Sequence, residues 1–439
     1  MNKKIRDTNT SMEELAAQQT GRAILVAVDL RPSDIERVER SLDELEDLAK
    51  TNGFTIVDRI VQRLDRIDRN TFVGSGKLQD IVERAEEINA DFLIFDGELS
   101  PAQTRGITQV TDLKVSDRVS VILSIFADHA RTDEGKIQVE LAYLRYRLTQ
   151  LVGRGAELSR LGGGIGTRGP GETVLEQDRR AIRKRMGVLR RELKRMEERR
   201  ERSRSLRDRR HVMTAAIVGY TNAGKSTLLN ILCDETLDAG DQLFMTLDPT
   251  ARRLDIREGL SLILVDTVGF IRDLPTFLYQ AFRATFEEAA SADLILLVTD
   301  ISDPDAAMHI EVVQKQLKDL DAGSIPVLYL LNKSDCVRHE SLHDVMMMLR
   351  NEKASQIIEI SAKTGQGLDR LLSSLAHFVE DTYLEYRAVL PYKEAGLVAH
   401  AREYGTVDVE QYESDAIILE GKIRKNEVGP LKSWIVHEP

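Results

Sequence analysis

The stretch GYTNAGKST, residues 219–227, has residue types and a spacing that suit phosphate chemistry. It follows the apolar run TAAIV and fits the pattern GxxxxGKS between a strand and a helix. In that pattern the glycines let backbone amides surround phosphates, the lysine reaches the β and γ phosphates, and the serine ligates magnesium. We therefore expect a nucleotide-binding loop made of Gly219, Tyr220, Thr221, Asn222, Ala223, Gly224, Lys225, Ser226 and Thr227.

Two later segments supply groups for a γ-phosphate and a magnesium ion. Phe244 and Thr246, in LFMTLDPT, form a predicted first switch, because the Thr246 hydroxyl and backbone can close over the phosphate and the metal. Asp266 and Gly269, in LILVDTVGF, follow an apolar strand, so that the carboxylate reaches magnesium through water and the glycine amide binds the γ-phosphate. The expected Mg²⁺ ligands are Ser226, Thr246 and Asp266, and the expected catalytic groups are Lys225, Thr246, Gly269 and Asn222.

Two further segments predict selectivity for guanine. Asn332, Lys333 and Asp335 end the strand in VLYLLNKSD. A carboxylate at Asp335 can accept hydrogen bonds from N1 and N2 of guanine, and adenine would leave that carboxylate unpaired. The run EISAK adds Ser361, Ala362 and Lys363, and the Ala362 amide is placed to meet guanine O6. The phosphate loop, the first switch, DTVG, NKSD and SAK thus occur in the order typical of guanine-nucleotide switches. Together these five motifs predict GTP and GDP as ligands.

Phe270 follows Gly269 at the position where many GTPases have a glutamine that orients the attacking water. We therefore expect slow intrinsic hydrolysis that a bound partner stimulates. Asn222 has two interpretations. It either ligates a potassium ion that neutralises developing charge, or it makes a local hydrogen bond within the loop.

The elements before this site fall into three segments. Residues 1–20 are polar and predict a mobile tail, whereas residues 21–130 alternate apolar strand runs with amphipathic helices, as in a small parallel α/β domain. Within it, FVGSGK resembles a truncated phosphate loop but lacks the first glycine and the magnesium-binding hydroxyl, so a turn and helix start is predicted. Residues 131–210 carry leucine-rich heptad spacing twice, which predicts an antiparallel helical hairpin.

Glycines and basic residues are concentrated in this hairpin. The tip LGGGIGTRGPGE contains a GxGxxG match, but helical patterns flank it on both sides, so we expect a tip loop and not a dinucleotide site. Residues 179–210 contain 16 Lys or Arg against 5 Asp or Glu, although the whole chain has a net charge of -11. Either this is a solvated helix face, or it meets a polyanion such as RNA. The expected RNA contacts are Gly163, Gly164, Gly166, Arg168, Gly169, Arg179, Arg180, Arg183 and Lys184.

Composition excludes several other classes of protein. The two cysteines form no metal-binding pair and no disulfide framework. The sequence has neither a signal peptide nor an apolar run that could span a membrane. We therefore expect a cytoplasmic monomer with no membrane span; association with ribosomes is implied only by the resemblance described next.

The chain resembles the HflX family of ribosome-associated GTPases, within the Obg-like group, from about residue 21 to 385. The resemblance is most specific in DRVSVILSIFADHARTDEGKIQVELAYLRYRL, GGGIGTRGPGETVLEQDRRAIRKR and VGYTNAGKSTLLN through VDTVGFIRDLP. It implies binding to the large ribosomal subunit and its rRNA, and splitting of 70S ribosomes in the GTP state, with hydrolysis driving release. It also implies rescue of stalled or idle ribosomes under stress, with the hairpin tip reaching toward the peptidyl-transferase region.

The predicted fold class is therefore α/β, with a parallel α/β domain and helical hairpin, a P-loop GTPase domain over 211–384 and a small C-terminal α/β domain over 385–439. Two alternatives to ribosome splitting remain open. The same site suits a factor for ribosomal-subunit assembly or RNA remodelling. It also suits a signalling GTPase whose hairpin binds a protein partner.

Overall fold

The computed structural model describes residues 20–30, 35–152, 170–208, 213–233, 250–257, 260–267, 269–272, 275–281, 290–336, 339–351, 356–425 and 427–437. The glycine tip from Gly163 to Gly169 and the first predicted switch, with Phe244 and Thr246, lie outside these residues. The described residues form two compact units. One contains those up to Arg195 together with those of Ile271–Ala284, and the other contains the rest.

The first unit opens with a four-stranded parallel sheet in the order β2-β1-β3-β4. β1 is uniformly apolar from Ala23 to Ala27 and is buried along that length, because helices cover both faces of a parallel sheet. FVGSGK forms a turn and the start of α2, as predicted. The elements are β1 Gly21–Leu30, α1 Ile35–Thr51, β2 Phe54–Leu64, α2 Ser75–Glu87, β3 Phe92–Phe95, α3 Pro101–Thr108, β4 Lys114–Asp117 and α4 Arg118–His129.

Two long helices, α5 (Asp133–Val152) and α6 (Pro170–Asp208), form the predicted hairpin. Their heptad leucines meet in one apolar cluster that contains Leu144, Leu151, Ile182, Met186 and Leu189. The guanidinium of Arg179 donates to the Leu151 carbonyl oxygen at 2.9 Å, and Arg185 forms a two-pronged bond with Glu140 at 2.6 and 2.8 Å. Later residues of α6 thus face earlier residues of α5, which confirms the antiparallel pairing.

A short helix, α8 (Thr276–Ala281), also belongs to the first unit and packs against α5. The Phe277 ring stacks on the Tyr146 ring of α5, with the centroids 6.5 Å apart. The Tyr146 hydroxyl donates to the Asp117 carboxylate at 3.0 Å, and Asp117 also accepts from the Ser120 amide as the N-cap of α4. One chain of contacts therefore joins α8, α5 and the start of α4.

The second unit contains a six-stranded sheet in the order β10-β9-β8-β5-β7-β6, in which only the edge strand β6 runs antiparallel. The carboxyl ends of its parallel strands meet at one edge, where ligands bind in open α/β sheets. Its elements are β5 Thr214–Gly219, α7 Lys225–Cys233, β6 Thr250–Arg257, β7 Leu260–Asp266, β8 Leu294–Asp300, α9 Ala306–Asp319, β9 Val327–Asn332, α10 His339–Asn351, β10 Gln356–Glu359 and α11 Leu368–Thr382.

The C-terminal part confirms the predicted α/β appendage, as an antiparallel sheet in the order β12-β13-β11-β14. Tyr386, Leu390, Leu419 and Ile423 lie in its core, with Ala401 of the adjoining helix. Its elements are β11 Tyr383–Pro391, α12 Gly396–Tyr404, β12 Gly405–Tyr412, β13 Ala416–Arg424 and β14 Ile435–His437. No helix among the described residues has the length and apolarity needed to cross a bilayer.

Candidate nucleotide site

The predicted phosphate loop leaves β5 at Gly219 and leads into α7 at Lys225. A Cβ at Gly219 would lie 2.2 Å from the Val298 carbonyl oxygen, so glycine is required where β5 passes β8. Gly224 and Asn222 have φ of 92° and 59°, in the left-handed region that glycine and asparagine adopt most readily. The loop therefore turns tightly and directs the amides at the start of α7 toward an anion.

Lys225 places a cation inside this loop. Its side chain is buried, and its ammonium donates to the Gly219 and Tyr220 carbonyl oxygens at 3.2 and 2.8 Å. Burial lowers the pKa of Lys225 to about 8, and the nearby Asp266 carboxylate opposes that effect. The ammonium is therefore costly to keep charged in the loop, and a phosphate would compensate it.

Ser226 and Asp266 suit the magnesium ion that the sequence predicts. The Ser226 hydroxyl donates to Asp266 Oδ2 at 3.4 Å, and Asp266 is fully buried at the end of β7. Hydroxyl and carboxylate oxygens are ligands that Mg²⁺ prefers, so this donor set fits a metal held by Ser226 directly and by Asp266 through water. The described residues contain no cluster of three or more His, Cys, Asp or Glu that could hold a metal. When bound, the ion neutralises charge on the β and γ phosphates.

The segment after β7 lies against the phosphate loop. The Phe270 amide donates to the Gly219 carbonyl at 3.1 Å, and the Phe270 carbonyl accepts from the Thr221 amide at 2.8 Å. A Cβ at Gly269 would lie 2.9 Å from Thr221 Cγ2 and 3.0 Å from Lys225 Nζ. Gly269 therefore lies against Thr221 and Lys225, at the predicted γ-phosphate end of the loop, and has no room for a side chain.

Asn332 braces the site from the end of β9. Its amide nitrogen donates to the Ala223 carbonyl at 2.7 Å, and its Oδ1 accepts from the Ala362 amide at 2.9 Å. A Cβ at Gly224 would lie 2.3 Å from this amide nitrogen. Asn332 thus ties the phosphate loop to the SAK segment. The Ala362 amide is engaged in that brace, and its contact with guanine O6 stays a prediction.

Asp335 presents the carboxylate predicted to read guanine. The Ser361 hydroxyl donates to Oδ1 at 2.6 Å and the Cys336 thiol donates to Oδ2 at 3.4 Å, and these bonds lower the pKa of Asp335, Ser361 most strongly. The side chain is exposed and charged at neutral pH, with Lys363 nearby. It can therefore accept hydrogen bonds from an incoming base.

Two contributors to the site, Asp300 and His309, escaped the sequence reasoning. Asp300 ends β8 and holds the Lys333 ammonium at 2.6 Å, and a carboxylate that terminates an apolar run was the available signal. The His309 ring stacks on the Tyr220 ring of the phosphate loop, with centroids 3.8 Å apart and planes at 14°. No local pattern indicates that second contact, because His309 comes from a distant helix. Among the residues that the sequence did predict, Thr227 is half-buried and follows Ser226 in α7.

The sheet order, the phosphate loop and the base-reading segment define a P-loop GTPase specific for guanine nucleotides. A GTPase HflX of Lacrimispora saccharolytica is 48% identical over 91% of this chain and 92% of its own. A GTPase HflX of Escherichia coli is 39% identical over 86% of this chain and 88% of its own. The chain therefore belongs to the HflX family of GTPases, and it hydrolyses GTP.

Three family descriptions match successive parts of the chain. Residues 39–127 match "GTP-binding GTPase N-terminal", 129–207 match "GTP-binding GTPase Middle Region" and 214–333 match "50S ribosome-binding GTPase". Among solved structures, the SsGBP and GDP complex is 25% identical with a TM-score of 0.48, over 82% of this chain and 99% of that one. The family matches follow the order of domains along the chain.

Proposed function

We propose that this GTPase binds the large ribosomal subunit and its rRNA in the GTP state, splits 70S ribosomes that are stalled or idle, and leaves after hydrolysis. The observation that carries the proposal is the match of residues 214–333, which contain the phosphate loop and Asp266, to a 50S ribosome-binding GTPase. The proposal includes a cytoplasmic, ribosome-associated protein that acts as a monomer.

An exposed basic face on α6 supports contact with RNA. Arg180, Arg183 and Lys184 are exposed, and none of them makes an ion pair or hydrogen bond with another described residue. Arg179, also predicted as an RNA contact, is half-buried and bonded to the Leu151 carbonyl. Binding through the three exposed side chains would neutralise phosphates and release counterions, and would therefore weaken with salt.

The glycine tip extends the proposal to the end of the hairpin. Gly163, Gly164, Gly166, Arg168 and Gly169 lie outside the described residues, so sequence alone supports their contact with rRNA. Glycines let a backbone approach another surface closely. Replacing the first three with bulkier residues should impair ribosome splitting and leave GTP affinity intact.

Potassium is the proposed second cation. Asn222 is exposed in the phosphate loop, and its side chain makes no hydrogen bond within the described part of the chain. That observation favours the potassium interpretation over a local bond. Magnesium, held by Ser226, Thr246 and Asp266, is proposed as the first cation, with Lys225, Gly269 and Thr246 acting on the γ-phosphate.

Co-sedimentation and light scattering test the proposed function. The full-length protein is mixed with 50S subunits, 30S subunits and 70S ribosomes in GTP, GDP or a non-hydrolysable GTP analogue. We expect binding to 50S and loss of 70S scattering with the analogue, and neither with GDP. Absence of ribosomal binding in every nucleotide state would contradict the proposal, whereas 50S binding without splitting would favour an assembly role.

A further inference from the structure

Hydrolysis in this site lacks the side chain that usually orients the attacking water. Phe270 occupies that position, is 1% exposed and is apolar, so its ring cannot hold a water molecule. Its amide and carbonyl are both bonded to the phosphate loop, through Gly219 and Thr221. Another group must orient the water.

Thr221 has the required position. Its Cγ2 lies 2.9 Å from the point where Gly269 would carry a Cβ, and Lys225 Nζ lies 3.0 Å from the same point. Gly269 and Lys225 are the groups that a P-loop GTPase directs to the γ-phosphate. The Thr221 methyl group therefore lies beside Gly269 and Lys225, so the hydroxyl carried by the same Cβ is within reach of a γ-phosphate bound by those two groups.

The Thr221 hydroxyl is also available. The residue is 8% exposed, and its amide is used by the Phe270 carbonyl at 2.8 Å. Within the described residues the hydroxyl itself makes no hydrogen bond. A hydroxyl can donate one hydrogen bond and accept two, so it can hold a water molecule and a phosphate oxygen together.

We propose that the Thr221 hydroxyl orients the attacking water, in the role that a glutamine has in other GTPases. The hydroxyl accepts a hydrogen bond from the water and donates a hydrogen bond to a γ-phosphate oxygen, keeping its own proton. The water oxygen forms a bond to the γ-phosphorus as the bond from that phosphorus to the β,γ-bridging oxygen breaks. GDP leaves with the bridging oxygen, the water proton passes to the released phosphate, and Thr221 is unchanged.

The geometry separates this role from a structural one. The bond that ties the loop to Phe270 uses the backbone amide of Thr221, so any residue except proline can make it. Valine has nearly the same shape as threonine without the hydroxyl, and serine keeps the hydroxyl without the methyl. The two substitutions therefore isolate the hydroxyl.

Single-turnover hydrolysis of GTP by the full-length protein tests the proposal, with Thr221→Val and Thr221→Ser compared in saturating Mg²⁺ and K⁺. We expect Thr221→Val to hydrolyse about 100-fold more slowly, the lower end of the range for a positioned catalytic group. We expect Thr221→Ser to remain within about threefold of the unsubstituted protein, since it keeps the group that orients the water.

Affinity for fluorescent GDP and a GTP analogue is measured on the same variants. Unchanged affinity in Thr221→Val, together with the slow hydrolysis, supports a role in the chemical step. The proposal is overturned if Thr221→Val hydrolyses at the original rate, if Thr221→Ser is equally slow, or if Thr221→Val has lost affinity for both nucleotides. Ribosome binding is not part of this assay, so the result is independent of the proposed function.

Discussion

Asp335, which we propose reads the base, has two carboxylate oxygens that accept from Ser361 and Cys336. In Asp335→Asn one acceptor becomes a donor, which repels guanine N2 but can pair with the 2-carbonyl oxygen of xanthine. We expect GTP affinity to fall by at least about 100-fold and affinity for xanthosine triphosphate to rise, by titration with fluorescent nucleotides.

The matched control is Asp319→Asn, which removes the same charge from an exposed position at the end of α9. It should leave both affinities unchanged. Equal losses of GTP affinity in the two variants would show that net charge, and not the bonds to guanine, governs binding.

Asn222 determines the expected response to monovalent cations. If its side-chain oxygen ligates potassium, hydrolysis should be about 10-fold or more faster in K⁺ than in Na⁺, and Asn222→Ala should abolish that difference. Steady-state GTPase assays in the two salts at equal ionic strength provide the measurement. A rate that is the same in both cations for the unsubstituted protein would refute the potassium site.

The residues proposed for the nucleotide site were predictable because they lie in short motifs. Gly219 to Ser226, Asp266 and Asp335 each end or follow a buried strand, and the carboxyl ends of parallel strands converge. The contacts of Asp300 and His309 were not predictable, since their partners Lys333 and Tyr220 lie far away in sequence, although the apolar run before Asp300 marks it as a strand-end carboxylate. Spacing indicates neighbours along the chain but not contacts across the sheet.

At the scale of elements, two glycines inside helices should respond oppositely to alanine. A Cβ at Gly187 in α6 would meet only Arg191 Nη1 at 3.9 Å, so Gly187→Ala should stabilise the protein by about 0.5–1 kcal/mol through helix propensity. A Cβ at Gly106 in α3 would lie 2.0 Å from the Asn70 carbonyl oxygen. Gly106→Ala should therefore destabilise it, by about 1–3 kcal/mol.

Urea titration of both variants gives the free energies of unfolding. Each glycine serves as the other's control, because the change in propensity is the same. Stabilisation by Gly106→Ala would contradict the close approach of Asn70 to α3.

The hydrogen bonds of Asp68 should make the stability of the first unit depend on pH. Its carboxylate accepts from the Asn70 amide at 2.7 Å and from the Thr71 amide at 2.9 Å, and the Asn70 bond is the main cause of its lowered pKa. A lowered pKa contributes stability above the ordinary value of 3.8, which is lost as the pH falls below it. Asp68→Ala should cost about 0.5–1 kcal/mol at neutral pH, since the group is partly screened by solvent, and less at an acidic pH below 3.8.

Urea unfolding at the two pH values measures this difference. Asp112→Ala, which removes an exposed carboxylate, is the control and should show little loss at either pH. A loss of the same size for Asp68→Ala at both pH values would argue against an ionised carboxylate as the acceptor.

The pattern of apolar residues predicted the helices and strands themselves. A helix with one buried face repeats apolar residues every three or four positions, and a fully buried strand is a short continuous apolar run. The pattern did not predict the extent of α6, which runs 39 residues where the heptad pattern indicated about 30. Leu193 is half-buried and lies outside the apolar cluster, which ends at Leu189. The additional turns are rich in arginine, which has high helix propensity.

At the scale of the whole molecule, the basic face of α6 sets the expected salt dependence of ribosome binding. Replacing Arg180, Arg183 and Lys184 with alanine should weaken 50S binding and lower the slope of log affinity against log salt by about 0.7–0.9 for each phosphate that is no longer neutralised. Filter binding or sedimentation across a salt series measures the slope. GTP affinity should not change, because none of the three lies in the nucleotide site.

A triple variant of Lys315, Lys318 and Arg370 is the control. These exposed residues belong to α9 and α11, so their removal changes net charge equally without touching α6. An identical drop in the salt slope would mean that overall charge, and not this face, governs binding.

Helix α8 makes the segment 211–384 difficult to exchange between related GTPases without disturbing the contact that α8 makes with α5. It begins at Thr276, seven residues after Gly269, yet it packs on α5, where Phe277 stacks on Tyr146. A recombinant exchange of residues 211–384 between relatives would carry Phe277 away and leave Tyr146 behind. The two positions are therefore expected to be inherited as a pair, and a chimera that joins them from different parents would have to repack this pair of rings.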